Sequence, residues 1–211
     1  MSMACWKSFR AVAFVAASCL VVGSAPKALA ADSSLMQSDG LHPSEWGSQV
    51  VAMAFTDEID SVSNGSSNHS DVVVCLGDSI TEGYGATGYP AYLETMTDKT
   101  CVNAGISGSQ SIRGATRVRS LLYQYRPAYL CVLYGANDVI TGKPAYYTIE
   151  NLKFICDSAE HAFTCPILAT LTPMSGAYAG NNAKIKDLNN KIRALALAGG
   201  YRLVDLEDEF E

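Results

Sequence analysis

Three short runs in this chain are apolar at all or nearly all positions and stop abruptly at a turn former. Val72-Val73-Val74-Cys75-Leu76 stops at Gly77, residues 128–134 (AYLCVLY) stop at Gly135, and residues 166–171 (PILATL) stop at Thr172-Pro173. A strand that is apolar on both faces has no side to offer to water, so it belongs in a parallel sheet covered above and below. Cys101-Val102 is a shorter run of the same kind, and residues 201–206 form the last one. Between the runs, apolar residues recur with a helical period. Ile112, Ala115, Val118 and Leu122 mark one helix, and Leu152, Cys156, Ala159 and Phe163 another. Ile185, Leu188, Ile192 and Leu195 mark a third, closed by Gly199-Gly200. Strand, helix, strand in repetition predicts an α/β fold with right-handed crossovers. One helix, over 44–59, precedes the first strand, with Val51, Phe55 and Ile59 on one face beside Val50 and Ala54. Residues 61–70 (SVSNGSSNHS) then read as a flexible polar linker.

The first thirty residues stand apart. Lys7 and Arg10 precede an apolar run over 11–22, and Ala28-Leu29-Ala30 offers a small-x-small cleavage site before Ala31. These features predict a signal peptide over 1–30 and a secreted or periplasmic protein. The run is too short for a membrane span. The competing readings are an uncut anchor and lipid attachment at Cys19. The whole chain of 211 residues has a net charge of −6; without the leader, which holds Lys7, Arg10 and Lys27 and no acid, it is −9. No cationic cluster is visible to neutralise phosphates, so nucleic acid is excluded as a partner. Residues 31–211 suit a single domain with its own core. They keep Cys75, Cys101, Cys131, Cys156 and Cys165, an odd set without framework spacing, best read as buried thiols; a Cys156–Cys165 bridge is the alternative. No Cys/His pair has zinc-site spacing.

Three loops follow three of the strands. Gly77-Asp78-Ser79-Ile80-Thr81 puts a serine hydroxyl at the carboxyl edge of the sheet, where open α/β sheets bind ligands. A helix beginning there favours negative charge beside Ser79, although Asp and Ser are also ordinary helix caps. Asn103-Ala104-Gly105-Ile106-Ser107-Gly108 and Gly135-Ala136-Asn137-Asp138 bring an exposed N–H at Gly108 and the amide of Asn137 to the same edge, both able to donate to an oxyanion. Each loop alone reads equally as turn chemistry.

The blocks GDSIT, NAGISG and YGAND resemble those of the SGNH hydrolases, the GDSL esterase family. The resemblance implies a three-layer α/β sandwich with a parallel, flavodoxin-like sheet. It implies Ser79 as the nucleophile, with its own N–H, Gly108 and Asn137 as the oxyanion hole. The family's fourth block, Asp-x-x-His, normally follows the fifth strand. Here Asp205 to Glu211 contains no histidine, but Asp39-Gly40-Leu41-His42-Pro43 resembles that block and the helix over 44–59 resembles the family's last helix. A chance D-G-x-H-P in such a chain is on the order of one in a thousand. The arrangement reads as a circular permutation, with the linker joining the usual ends; ten residues span up to roughly 33 Å.

Serine is a weak nucleophile until a base takes its proton. His42 is the expected base, and Asp39 the residue that fixes its tautomer and stabilises the imidazolium. His69 in the linker and His161 near a helix end read as surface residues, and Asp78 and Asp138 as holders of loop geometry. The implied reaction is hydrolysis of small or short-chain acyl esters through an acyl-Ser79, with no metal or cofactor. Acetylated carbohydrate, lysophospholipid, thioester and aryl ester all remain open as substrates. Tyr84, Tyr89, Tyr134, Met174 and the loop over 172–180 are candidates to shape the pocket, with core packing the alternative for each tyrosine. Acyl transfer to a sugar hydroxyl is a rival reaction, and an inactive envelope module binding carbohydrate or lipid a rival class. Mass spectrometry of the exported protein is expected to find Ala31 as the first residue; an intact Met1 on a cytoplasmic product counts against the leader.

Overall fold

The computed structural model describes residues 33–61 and 68–211. The leader expected over 1–30 lies outside them, as does most of the expected linker. Five strands, β1 (His69–Gly77), β2 (Thr100–Gly105), β3 (Pro127–Leu133), β4 (Cys165–Ala169) and β5 (Arg202–Val204), form one parallel sheet in the order β2-β1-β3-β4-β5. That is the flavodoxin-like order, in which the chain reverses its direction across the sheet next to β1 and leaves a crevice at the carboxyl edge. The helices are α1 (Glu45–Asp60), α2 (Ser79–Glu82), α3 (Tyr89–Thr97), α4 (Ser111–Tyr125), α5 (Ala136–Ile140), α6 (Ala145–His161), α7 (Asn182–Gly199) and α8 (Leu206–Glu209), with a 3-10 turn at Gly176–Asn181 before α7.

Every position of β3 is buried, as an all-apolar strand at the centre of a covered sheet must be. Right-handed crossovers put α3 on one face and α4, α6 and α7 on the other. The contacts agree: α4 packs on α6 and α6 on α7, whereas α1 packs on α3. Ser44 caps α1 by accepting from the Gly47 N–H at 3.1 Å. Val51, Phe55 and Ile59 are buried as their spacing predicts, and the Phe55 ring stacks on Tyr89 with centroids 5.2 Å apart. Through these contacts residues 45–60 join the core of the sheet, and α1 also touches β5 and α8.

Three expectations need correction. Ile112 is exposed; the inward face of α4 is Ser111, Gly114, Val118 and Leu122. Ser111 can point inward because Asp138 accepts from both its N–H and its hydroxyl, at 2.9 and 2.7 Å. Phe163 lies beyond the end of α6 in a left-handed conformation (φ 57°) and is exposed, because the helix has already closed at His161. His69 and Ser70 belong to β1 and not to a linker: the His69 N–H donates to the Arg126 carbonyl at 2.9 Å, and His69 pairs with Pro127. The preferred reading of the cysteines holds: Cys75, Cys101, Cys131 and Cys156 carry free thiols, buried at all but Cys101, and the alternative Cys156–Cys165 bridge is not made. No helix among the described residues is long and apolar enough to cross a membrane.

If α1 is part of the cooperative core, Phe55→Ala should lower unfolding stability by about 3–5 kcal/mol, the usual cost of emptying a buried aromatic site. Denaturant titration measures it, and a loss under about 1 kcal/mol would make α1 a peripheral attachment.

Candidate active site

β1 ends at Gly77, and the chain turns at once into α2. Asp78 caps that helix by accepting from the Ile80 N–H at 3.0 Å, which leaves Ser79 as its first residue at the carboxyl edge of the sheet. The β2 end must lie very close beside it. A side chain at Gly105 would meet the Glu82 backbone nitrogen at 2.2 Å, so only glycine permits this approach. Glu82 accepts from the N–H of Ser107 at 2.7 Å and also from its hydroxyl, tying the loop after β2 to α2.

The segment before α1 arrives from the other side. A bridge between Met36 and Pro43 and a bond from the Gln37 N–H to the His42 carbonyl, 2.8 Å, fold residues 36–43 into a tight loop. Within it the Asp39 carboxylate accepts from the N–H groups of Leu41 and His42, at 2.9 and 3.0 Å. Gly40 has φ 74°, and a Cβ there would meet the Ser175 carbonyl at 2.2 Å, while the Ser175 N–H donates to the Gly40 carbonyl at 2.7 Å. The loop therefore docks against Ser175 and Gly176.

The consequence is a continuous chain of contacts. His42 Nε2 lies 2.8 Å from Ser79 Oγ, and His42 Nδ1 lies 2.6 Å from Asp39 Oδ2. With a carboxylate at Nδ1 the tautomer is set: Nδ1 carries the proton, and Nε2 accepts from the serine hydroxyl. Burial raises the Asp39 pKa, but bonds from the His42 ring and from the backbone of Leu41 and His42 outweigh it, and the carboxyl lies below the ordinary aspartate value. His69 and His161 are remote from this site: His69 opens β1 at the opposite end from Ser79, and His161 Nδ1 lies 2.6 Å from the Asp157 carbonyl at the end of α6.

Asn137 sits in the first turn of α5. Its Nδ2 donates to Asp78 Oδ2 at 3.2 Å and to the Ser109 carbonyl at 3.1 Å. Both bonds lie at the longer end of the normal range. Gly108 is exposed, has φ 71° and has open space where a Cβ would point. Asp78 and Asp138 hold geometry, as expected. Burial pushes the Asp78 carboxyl up to about 7, against the pull of the Ile80 N–H and the Asn137 amide and with a further push from Asp138. Asp138 joins α5 to α4 through Ser111, whose hydroxyl also accepts from Asn151 at 2.9 Å.

The candidate pocket residues separate. Tyr84 is 59% exposed and its ring lies against His42, with centroids 4.7 Å apart. Tyr89, Tyr134 and Met174 are buried in the core, so core packing is the right reading for both of these tyrosines. Tyr134 packs beneath Gly114, and its hydroxyl accepts from Arg117 at 3.2 Å. A cavity of about 410 Å³ lies elsewhere, between the α5–α6 connection and α7, lined by Val139, Pro144, Thr148, Lys184 and Leu188 among others. Among the described residues no group of three His, Cys, Asp or Glu side chains is arranged to hold a metal. Sequence reasoning missed Gln37, Glu45 and Arg117, whose partners are backbone carbonyls and loop atoms that carry no sequence signature. For Glu82, its place in the first turn after the serine was an available signal.

With residues 75–211 matching the GDSL-like Lipase/Acylhydrolase family, the chain belongs to that family. The match leaves Asp39 and His42 outside it. The chain is 33% identical over 104 residues to thioesterase 1/protease 1/lysophospholipase L1 of Escherichia coli K12, covering 47% of this chain and 50% of that protein. It is 34% identical over 95 residues to an arylesterase of Vibrio mimicus, covering 41% and 48%. It thus spans about half the length of the curated relatives it matches. Of solved structures, AlinE4, an SGNH-hydrolase family esterase, superposes with a TM-score of 0.55 at 26% identity, over 66% of this chain and 77% of that one. A GDSL-like lipase of Bacteroides thetaiotaomicron shares the fold, with a TM-score of 0.58 at 24% identity over 74% and 78%.

The buried Asp78 gives this site a mark on stability. Its folded pKa, about 7, lies above the ordinary 3.8. Between those values the folded state holds a proton that the unfolded chain has released, so stability should fall as pH rises from about 4 to about 7. Asp78→Asn should flatten that slope in melting temperatures taken across the range. An unchanged slope would mean that Asp78 is ionised throughout.

Proposed function

We propose that this protein is an exported serine ester hydrolase acting on small or short-chain acyl esters. The observation that carries the reading is the 2.8 Å contact between Ser79 Oγ and His42 Nε2, groups 37 residues apart in sequence. That distance is hydrogen-bond reach for general-base catalysis. In the reaction, Ser79 Oγ attacks the ester carbonyl carbon and its proton passes to His42 Nε2. The carbonyl becomes an oxyanion, stabilised by N–H groups of Ser79, Gly108 and Asn137. As it collapses, the bond to the alcohol oxygen breaks and that oxygen takes the proton from Nε2. Water then attacks the acyl-Ser79, giving its proton to Nε2, which returns it to Ser79 as the acid leaves. Asp39 holds the imidazole in register and stabilises its charged form. The esterase, thioesterase and lysophospholipase names of the relatives support an acyl ester or thioester substrate; a secretory leader over 1–30 supports export.

We further propose that the elements are circularly permuted relative to the family. Three observations support this. The block carrying Asp39 and His42 precedes the span that matches the family. The helix after it packs on α3 and against β5 and α8, the last elements of the chain. The Gly40 loop is seated on residues just beyond β4.

Ser79→Ala should abolish covalent labelling by a fluorophosphonate, and labelling that survives refutes the nucleophile. His42→Ala should cost turnover of p-nitrophenyl acetate nearly as severely, since the two residues act as a unit. Asn137→Ala should slow it about 10²–10³-fold, as for one lost oxyanion donor. His69→Ala and His161→Ala should change little. A variant with residues 31–60 moved to follow Glu211, and the linker removed, should keep activity; a folded but inactive product would defeat the permutation.

A further inference from the structure

Which portion of an ester lies where follows from the proton's route. His42 Nε2 first takes the proton of Ser79 and then delivers it to the departing alcohol oxygen. That oxygen must therefore come within hydrogen-bond reach of Nε2, about 3 Å. The alcohol portion lies on the His42 side of Ser79, and the oxyanion on the Asn137 side. On the His42 side the ring against the imidazole is Tyr84, with centroids 4.7 Å apart and planes inclined by 34°. The Tyr84 ring is covered on one side by His42, and the residue as a whole is 59% exposed.

An exposed tyrosine is commonly mobile and uninformative, but the backbone of this one and the loop that carries it are fastened at three points. Its N–H donates to the Ser79 carbonyl at 3.1 Å, so its backbone is tied to the nucleophile's own residue. Its carbonyl accepts from Gln37 Nε2 at 2.8 Å, and the same nitrogen reaches the Pro43 carbonyl at 2.9 Å, beside His42. Three residues further on, Glu45 accepts from the N–H and hydroxyl of Thr87, at 2.8 and 2.6 Å, and from the Tyr92 hydroxyl at 2.8 Å. The loop after α2 is thereby fastened to both sides of the His42 block. Among the described residues no hydrogen bond of the Tyr84 side chain accounts for this anchoring; what the anchored loop presents is a ring beside His42.

We infer that the Tyr84 ring is the platform for the alcohol portion of the ester, and that the enzyme favours alcohols bearing a ring with an apolar face, an aryl ring or the flat face of a sugar. This rests on the hydrolase reading above. Ring-on-ring contact of this kind contributes up to roughly tenfold in affinity. It acts as the alcohol departs, so it should be felt in kcat/KM for esters whose alcohol carries the ring.

Isomeric esters separate the two sides of the site. Benzyl acetate carries the ring on the alcohol, methyl phenylacetate carries it on the acyl group, and ethyl acetate has none. The wild-type protein should favour benzyl over ethyl acetate by about tenfold in kcat/KM, and Tyr84→Ala should reduce that preference to about twofold. Tyr84→Phe should retain it, because the ring and not the hydroxyl is used. Methyl phenylacetate should respond to Tyr84→Ala by less than about twofold. Absence of the preference in the wild-type protein, or equal losses on benzyl acetate and methyl phenylacetate, overturns the platform. Loss of all turnover, p-nitrophenyl acetate included, in the wild-type protein itself overturns the hydrolase reading instead.

Discussion

The bond between Ser79 and His42 joins two pieces of chain that reach the carboxyl edge of the sheet from opposite directions. Ser79 is set by β1, a strand whose last five residues are buried and which ends where α2 begins. His42 is set by a tight loop that has little regular structure of its own. The loop holds because Asp39 satisfies two of its N–H groups, because Gly40 lies flush on Ser175, and because α1 anchors its far end in the core through Phe55 and Ile59. Were α1 loosely attached, a hydrogen bond of 2.8 Å across a 37-residue separation would have to overcome the full entropy of ordering that loop.

Three aspartates near the site are chemically identical in sequence and differ entirely in their surroundings. Asp39 remains partly exposed, is surrounded by donors and is held in its charged form. Asp78 is fully buried with weaker donors, and its affinity for a proton rises accordingly. Asp138, also buried, is occupied by Ser111 at the start of α4. The proposed triad member is the one that faces an imidazole. The others keep the Ser79 helix and the Asn137 helix where they are, and Asp78 does so by touching Asn137 itself. A fourth, Asp205, stands after β5, where the family's acid block is expected. Here it is occupied by a paired contact with Arg193, at 2.6 and 2.7 Å, and by the Thr170 hydroxyl.

Two of the misread positions share one cause. Ile112 and Phe163 fit an apolar period, yet the inward face of α4 is begun by Ser111, and α6 has ended before Phe163. In both places a backbone or side-chain hydrogen bond outranks hydrophobicity at a helix terminus. His69 reads as linker because its neighbours are polar, but the edge of β3 offers it a pairing partner and draws it into β1. Tyr134 and Tyr84 both adjoin motif residues. Only packing separates them, one beneath α4 and the other on the rim of the site.

Much was written in the chain itself. Continuous apolar runs ending at glycine can be satisfied only in a covered parallel sheet, and that alone sets the edge at which Ser79, Gly105 and Asn137 appear. The pair Asp39 and His42 was also legible, because three residues of spacing lets both groups of one turn converge on a third. What only the tertiary structure decided is where that turn goes. Local sequence specifies the loop's shape but not its destination. The meeting of His42 with Ser79 depends on the fit of Phe55 against Tyr89 and of Gly40 against Ser175. Such contacts are long-range packing, which no local spacing encodes.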